Sequence, residues 1–141
     1  MSEPLIVIST FRVKEGKLED LRRYYKKVIE IVESNEPQLI AFHGFINEDG
    51  TEMTSIQVHP DTASMDFHMQ VLRENWDESF SEYGQVVDNI STEYYGAPPK
   101  SALDLDDIDV QSEQGLTLKP LHIAGFTRST AAQNALRMQL K

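Results

Sequence analysis

The chain has 141 residues, 23 acids against 13 bases for a net charge of −10, and no cysteine. A single domain of this length buries roughly two-thirds of the surface its unfolded chain exposes. The acidic balance steers nucleic acids and anionic membranes away, and the absence of thiols excludes disulfides and thiolate metal sites. The start Met1-Ser2-Glu3-Pro4 has no basic export region and no apolar run approaches about 18 residues, so a cytoplasmic protein is expected.

Residues 5–13 read as a strand, β-branched and apolar in their first half. Its two parities, Leu5/Val7/Ser9/Phe11/Val13 and Ile6/Ile8/Thr10/Arg12, leave open which side meets which layer. Leu18, Leu21, Tyr25, Val28 and Val32 then step by three or four, predicting an amphipathic helix that Asn35-Glu36-Pro37 ends. A hairpin follows, residues 39–46 and 53–59. With Glu48-Asp49-Gly50 as a three-residue loop, Ile40 meets Val58, Phe42 meets Ile56 and Gly44 meets Thr54 on an oily face. The other face pairs Leu39 with His59, Ala41 with Gln57, His43 with Ser55 and Phe45 with Met53. A two-residue Asp-Gly turn would shift the pairing by one and scatter the polar groups, so the first register is preferred. The mixed face is too apolar for water and too polar for a sealed core, the character of a ligand cavity.

Asp61 is the expected N-cap of a second helix with the stripe Met65, His68, Met69, Leu72 and Trp76. Helical character fades around residues 80–84, and residues 86–95 read as a fourth strand. The order β-α-β-β-α-β is the ferredoxin-like, split βαβ plan of an α+β protein. Right-handed crossovers place both helices on one side of an antiparallel sheet. The other side would expose Leu39, Ala41, Phe45 and Met53, so a homodimer packed sheet to sheet around a cavity is expected. Gly96-Ala97-Pro98-Pro99 separates residues 1–96 from an extension, 97–141, packed on the same domain. The extension should hold a short acidic helix within 100–114 and an edge strand over 116–126, restricted by Pro120. Residues 129–141 form a docked helix or a frayed tail.

Four segments carry a family resemblance: Phe11-Arg12-Val13-Lys14-Glu15-Gly16-Lys17 entering the first helix, Pro37 opening the second strand, Asp49-Gly50-Thr51 at the hairpin, and Ala63-Ser64-Met65-Asp66-Phe67-His68 in the second helix. In these, residues 5–95 resemble the antibiotic-biosynthesis-monooxygenase-like domain of the dimeric α+β-barrel superfamily. The resemblance implies that fold, a dimer, and relatives that include cofactor-independent oxygenases of aromatic polyketides, haem-degrading enzymes and proteins without a known reaction. The chemistry-bearing positions are filled differently here. Ser55 stands for the oxygenases' strand 3 asparagine and His59 for the tryptophan ending that strand. Phe11 replaces the strand 1 asparagine of the haem-degrading relatives, and His68 their helix 2 tryptophan. The part after Gly96 resembles a subfamily extension.

His43, opposite Ser55 in the preferred register, is the candidate catalytic base or oxyanion donor, since imidazole titrates near neutrality. Ser55 and Gln57 would orient a ligand, and Phe11, Phe45, Met53, His59 and His68 would line its cavity. Against this stand simpler roles: His43 bonded to Ser55, Ser55 and Gln57 satisfying each other, His59 supporting a turn, and His68 packed in the core. His43, His59, His68 and His122 have no tight pair spacing, so no metal is expected; nor is a cofactor, since no phosphate loop or nucleophile elbow occurs. The sequence therefore reads as a small-molecule-binding homodimer, a cofactor-independent monooxygenase-like enzyme for a small hydrophobic, aromatic or enolisable substrate. The alternative is a non-catalytic ligand-binding or interaction protein, with the acidic residues 104–109 as a partner surface.

Overall fold

The computed structural model describes residues 3–75, 83–103 and 115–128. In chain order these hold β1 (Leu5–Val13), α1 (Leu18–Asn35), β2 (Ala41–Ile46), β3 (Glu52–His59), α2 (Thr62–Glu74), a one-turn α3 (Tyr83–Val86), β4 (Val87–Tyr95), a one-turn α4 (Lys100–Leu103) and β5 (Leu116–Lys119). The sheet order is β2-β3-β1-β4-β5, antiparallel except for β5, which runs parallel to β4 at the edge. Without β5 this is the split βαβ arrangement, with α1 and α2 as the two crossovers.

Burial settles the parity of β1. Leu5, Val7, Phe11 and Val13 are buried beneath the helices, while Ile6, Ile8 and Thr10 are half-buried and Arg12 is exposed. Pairing then assigns the other strands. Met53, Ser55, Gln57 and His59 of β3 lie on the helix-covered face, beside Phe11, Ser9, Val7 and Leu5. Thr54, Ile56 and Val58 share the opposite face with Ile6, Ile8 and Thr10, and there Thr10 and Thr54 join hydroxyls at 3.1 Å.

The hairpin register differs from the preferred one. Ala41 pairs with Val58, Phe42 with Gln57, His43 with Ile56, Gly44 with Ser55, Phe45 with Thr54 and Ile46 with Met53. The cause is a turn that begins one residue earlier, at Asn47. Its carbonyl accepts from the Gly50 N–H, and its side-chain Oδ1 accepts from the Thr51 and Glu52 N–H groups at 2.9 and 3.0 Å. Asp49 adds a hydrogen bond from Thr51, which holds its carboxyl below the usual carboxylate range. An Asx side chain that satisfies the backbone in this way specifies the turn as strongly as the glycine does. Gly50 takes φ +73°, and a Cβ there would also press on Leu18.

Asp61 caps α2 as expected, accepting from the Ser64 N–H at 2.8 Å. The extension builds onto the domain: Ala102 of α4 is buried with Leu5, Val7, Met65 and Met69, and the Tyr94 hydroxyl donates to its carbonyl. The fifth strand is shorter than predicted, ending at Lys119 where Pro120 removes the next donor. Its parallel pairing makes the sheet mixed. Trp76, the acidic residues 104–109 and the segment 129–141 lie outside the described residues.

Candidate functional site

The new register separates His43 from the residues meant to work with it. His43 is exposed on the face away from the helices, its ring 6.1 Å from that of Phe45, which is also on that face and 59% exposed. Ser55, Gln57, His59, His68, Phe11 and Met53 gather instead between the helices and the sheet. The proposed His43–Ser55 and Phe45–Met53 contacts do not form, because a one-residue slip sends alternate side chains to opposite faces.

Between helices and sheet the core is divided. One apolar cluster comprises Leu5, Val7, Met65, Met69, Tyr94 and Ala102; the other comprises Phe11, Val13, Leu21, Met53, Val86 and Val87. The row of sheet positions between them is Gly44, Ser55, Ser9 and Thr92, one from each of four adjacent strands. These are the smallest side chains on this face, and three bear hydroxyls. Tyr25 of α1 reaches down onto the row. Its hydroxyl is 2.9 Å from Ser55 Oγ, and its ring lies where a Cβ on Gly44 would come within 2.4 Å of it. Burial pushes the Tyr25 phenol up to about 12, more than the Ser55 hydrogen bond lowers it, so it stays a neutral donor.

The aromatic wall on one side is Phe11 set edge-on to Tyr83, which stacks on Tyr24 at 5.1 Å. Burial first, then the phenols of Tyr25 and Tyr24, drives the Tyr83 hydroxyl strongly upward. Beside Phe11, a bulge in β4 turns Asn89 inward; its amide donates to Thr92 Oγ1 at 3.2 Å. Asn89 Oδ1 is buried and has no hydrogen-bond partner among the described residues. An orphaned acceptor costs about 1–3 kcal/mol, which a donor on a bound molecule would recover. Outside this wall, Lys17, Arg23, Lys27 and Gln85 border an open depression of about 440 Å³ against Tyr24.

On the other side of Tyr25 stands Phe42, 5.9 Å from the Tyr25 ring and 5.7 Å from that of His68. Here lies a second polar group. His68 Nδ1 meets both carboxylate oxygens of Glu36, at 2.9 and 2.8 Å, with both side chains buried. His59, fully buried, is 5.7 Å from His68 and has both ring nitrogens engaged: Nε2 with Gln57 Oε1 at 2.9 Å and Nδ1 with Ser64 Oγ at 2.8 Å. Burial, with the charge of His68 adding, pushes His59 down to about 3. A neutral ring that donates to Gln57 and accepts from Ser64 satisfies every partner.

Tyr25, Glu36, Ser64 and Asn89 are the members that sequence reasoning missed. Ser9 had a visible signal: a serine interrupting the parity Leu5, Val7, Phe11, Val13. Glu36 looked like part of a helix stop, and its placement at the end of α1 beside His68 is a tertiary fact. Among the described residues no three His, Asp or Glu side chains gather as a metal-ligand set, and no helix is long and apolar enough to cross a membrane.

The strand order and the two crossovers define a ferredoxin-like α+β protein whose polar groups are enclosed between helices and sheet. Residues 4–71 match the family described as antibiotic biosynthesis monooxygenase, and the chain carries a domain of that kind. No curated protein matches the sequence significantly. Among solved structures, MupZ from Pseudomonas fluorescens is similar at 20% identity over 90% of this chain and 96% of its own, with a TM-score of 0.64. Protein SO0527 from Shewanella oneidensis matches at 20% identity over 67% of this chain and 91% of its own, with a TM-score of 0.53. SnoaB from Streptomyces nogalater, described as a cofactor-independent oxygenase, matches at 11% identity over 70% of this chain and 96% of its own, with a TM-score of 0.52. These likenesses are of fold, and with MupZ the likeness continues past the monooxygenase-like segment into the extension.

Proposed function

We propose that this chain is a homodimeric protein that binds a small hydrophobic molecule, aromatic or enolisable, between its helices and its sheet. The observation that carries the reading is the transverse row Gly44, Ser55, Ser9, Thr92, which splits an otherwise apolar core beneath the Tyr25 hydroxyl. A core built only for stability fills such a row with branched apolar side chains, because buried polar groups cost energy unless paired. Tyr25 and Ser55 would offer hydrogen bonds to a ligand oxygen and Asn89 Oδ1 would receive a ligand donor, with Phe11, Phe42 and Met53 packing its apolar body. The chemistry that fits is monooxygenase-like and cofactor-independent, as described for SnoaB: loss of a proton from an enolisable substrate yields an electron-rich anion. His68, steadied by Glu36, is the candidate base, since Glu36 holds Nδ1 and leaves Nε2 as the atom that would take the proton. The non-catalytic alternative is favoured by His59, whose two nitrogens are already engaged within the protein.

The dimer is proposed through the sheet face away from the helices, where Ile6, Ile8, Ile56 and Val58 are half-buried and Phe45 is exposed. The ligand reading is tested by screening small phenols and enolisable ketones by native mass spectrometry. A molecule retained by the wild type and by His43→Ala, but bound about tenfold more weakly by Ser55→Val, agrees with it, the loss corresponding to one hydrogen bond. Loss through His43→Ala with Ser55→Val unchanged contradicts it.

A further inference from the structure

After β5 the chain leaves its own domain. Gly96 N–H donates to the Lys119 carbonyl at 2.9 Å, and beyond that bond residues 120–128 make no backbone hydrogen bond with any described residue. Within these nine residues Leu121 is 88% exposed, Ile123 98% and Phe126 82%. The only contact given to Phe126 is the Arg128 guanidinium, 4.4 Å from its ring centre. Leu121 and Ile123 alternate with His122 and Ala124, so an extended backbone directs both to one side. Leu103, Leu116 and Leu118, each about half exposed, continue the apolar character back toward the domain.

Single exposed apolar residues are ordinary on a protein surface, but three consecutive large ones on an extended arm are not. We propose that residues 120–128 are an exchanged arm that packs on a second copy of this chain, each protomer receiving the arm of the other. Two observations select a second copy over an unrelated partner. First, the same molecule presents another uncovered apolar surface, the sheet face with Ile6, Ile8, Ile56, Val58 and Phe45, and a two-fold pairing covers both surfaces in both protomers at once. Second, the area suffices. Large apolar side chains expose about 150–200 Å² each, so two arms and the surfaces they cover remove on the order of 1,500–2,000 Å² from water, the size of a stable interface. The proposal rests on the homodimer above for the identity of the partner, but it assigns the association to a different surface.

Sedimentation equilibrium on the full chain separates the two surfaces, comparing wild type, the triple variant Leu121→Ser/Ile123→Ser/Phe126→Ser, and Phe45→Lys on the sheet face. The arm proposal expects a wild-type dimer and a triple variant whose dissociation constant rises at least about 100-fold, taking roughly tenfold for each large apolar group lost from an interface core. Its circular dichroism spectrum should match that of the wild type, because the substituted side chains touch little of their own domain. A triple variant that dimerises like the wild type overturns the arm, and if Phe45→Lys dissociates at the same time the sheet-face dimer stands alone. A triple variant that dissociates while Phe45→Lys remains dimeric keeps the arm and removes the sheet face. A wild type that is monomeric at all concentrations overturns both.

Discussion

His59 should make the protein acid-sensitive in a way that can be measured residue by residue. Its ring is fully buried, donates to Gln57 and accepts from Ser64, and lies beside His68. Folding therefore lowers its pKa from 6.5 to about 3. Below pH 6.5 the unfolded chain takes up a proton that the native ring refuses. The stability it supports is thus complete above that value and drains away as pH falls toward 3. Linkage gives about 2 kcal/mol lost between pH 7 and pH 5, and up to about 5 kcal/mol near the lower limit. The assay is urea unfolding at pH 7, 6 and 5 at fixed protein concentration, on wild type and His59→Gln, whose difference cancels the other titrating groups. His59→Gln should be less stable at pH 7 and should lose most of the difference by pH 5. Parallel slopes for the two proteins would refute the argument, as would a histidine ring signal for His59 that titrates near 6.5.

Glu36→Ala should destabilise the fold by about 3–5 kcal/mol in the same unfolding assay, because His68 loses both of its carboxylate contacts in a buried site, whereas Glu36→Gln keeps an acceptor and should cost less. Gly44→Ala would place a methyl group within 2.4 Å of the Tyr25 ring, so it should displace Tyr25 and break its bond to Ser55, read as a lowered melting temperature and altered tyrosine fluorescence. Asp61→Ala should cost about 1 kcal/mol through the lost cap of α2. His43→Ala, on the exposed face, should change monomer stability by less than about 0.5 kcal/mol.

The architecture was legible because it rests on periodicity. The stripes of α1 and α2, the β-branched start of β1 and the cap at Asp61 are local signals, and right-handed crossovers assemble them in one way. The site was half legible. Ser55, Gln57, His59, His68, Phe11 and Met53 do share one layer, but they lie beneath the helices and not with His43. That error came from a single turn, where the hydrogen bonds of Asn47 and Asp49 outweighed the loop length expected from Gly50. Since strand side chains alternate, one residue of slip exchanged the two faces of β2 relative to β3. Glu36 could not be found this way. Its partner His68 is 32 residues distant, and no local pattern marks a carboxylate at a helix end as buried.

The account turns on which side of the sheet receives the ligand. Backbone amide shifts recorded by ¹⁵N-edited NMR during titration with a panel of small phenols and enolisable ketones answer this directly. The account predicts that the largest changes fall on Ser9, Gly44, Ser55 and Thr92, with Tyr25→Phe weakening them. Changes centred on Ala41, His43 and Ile56 across the sheet, or no member of the panel moving the hydroxyl row, would contradict it.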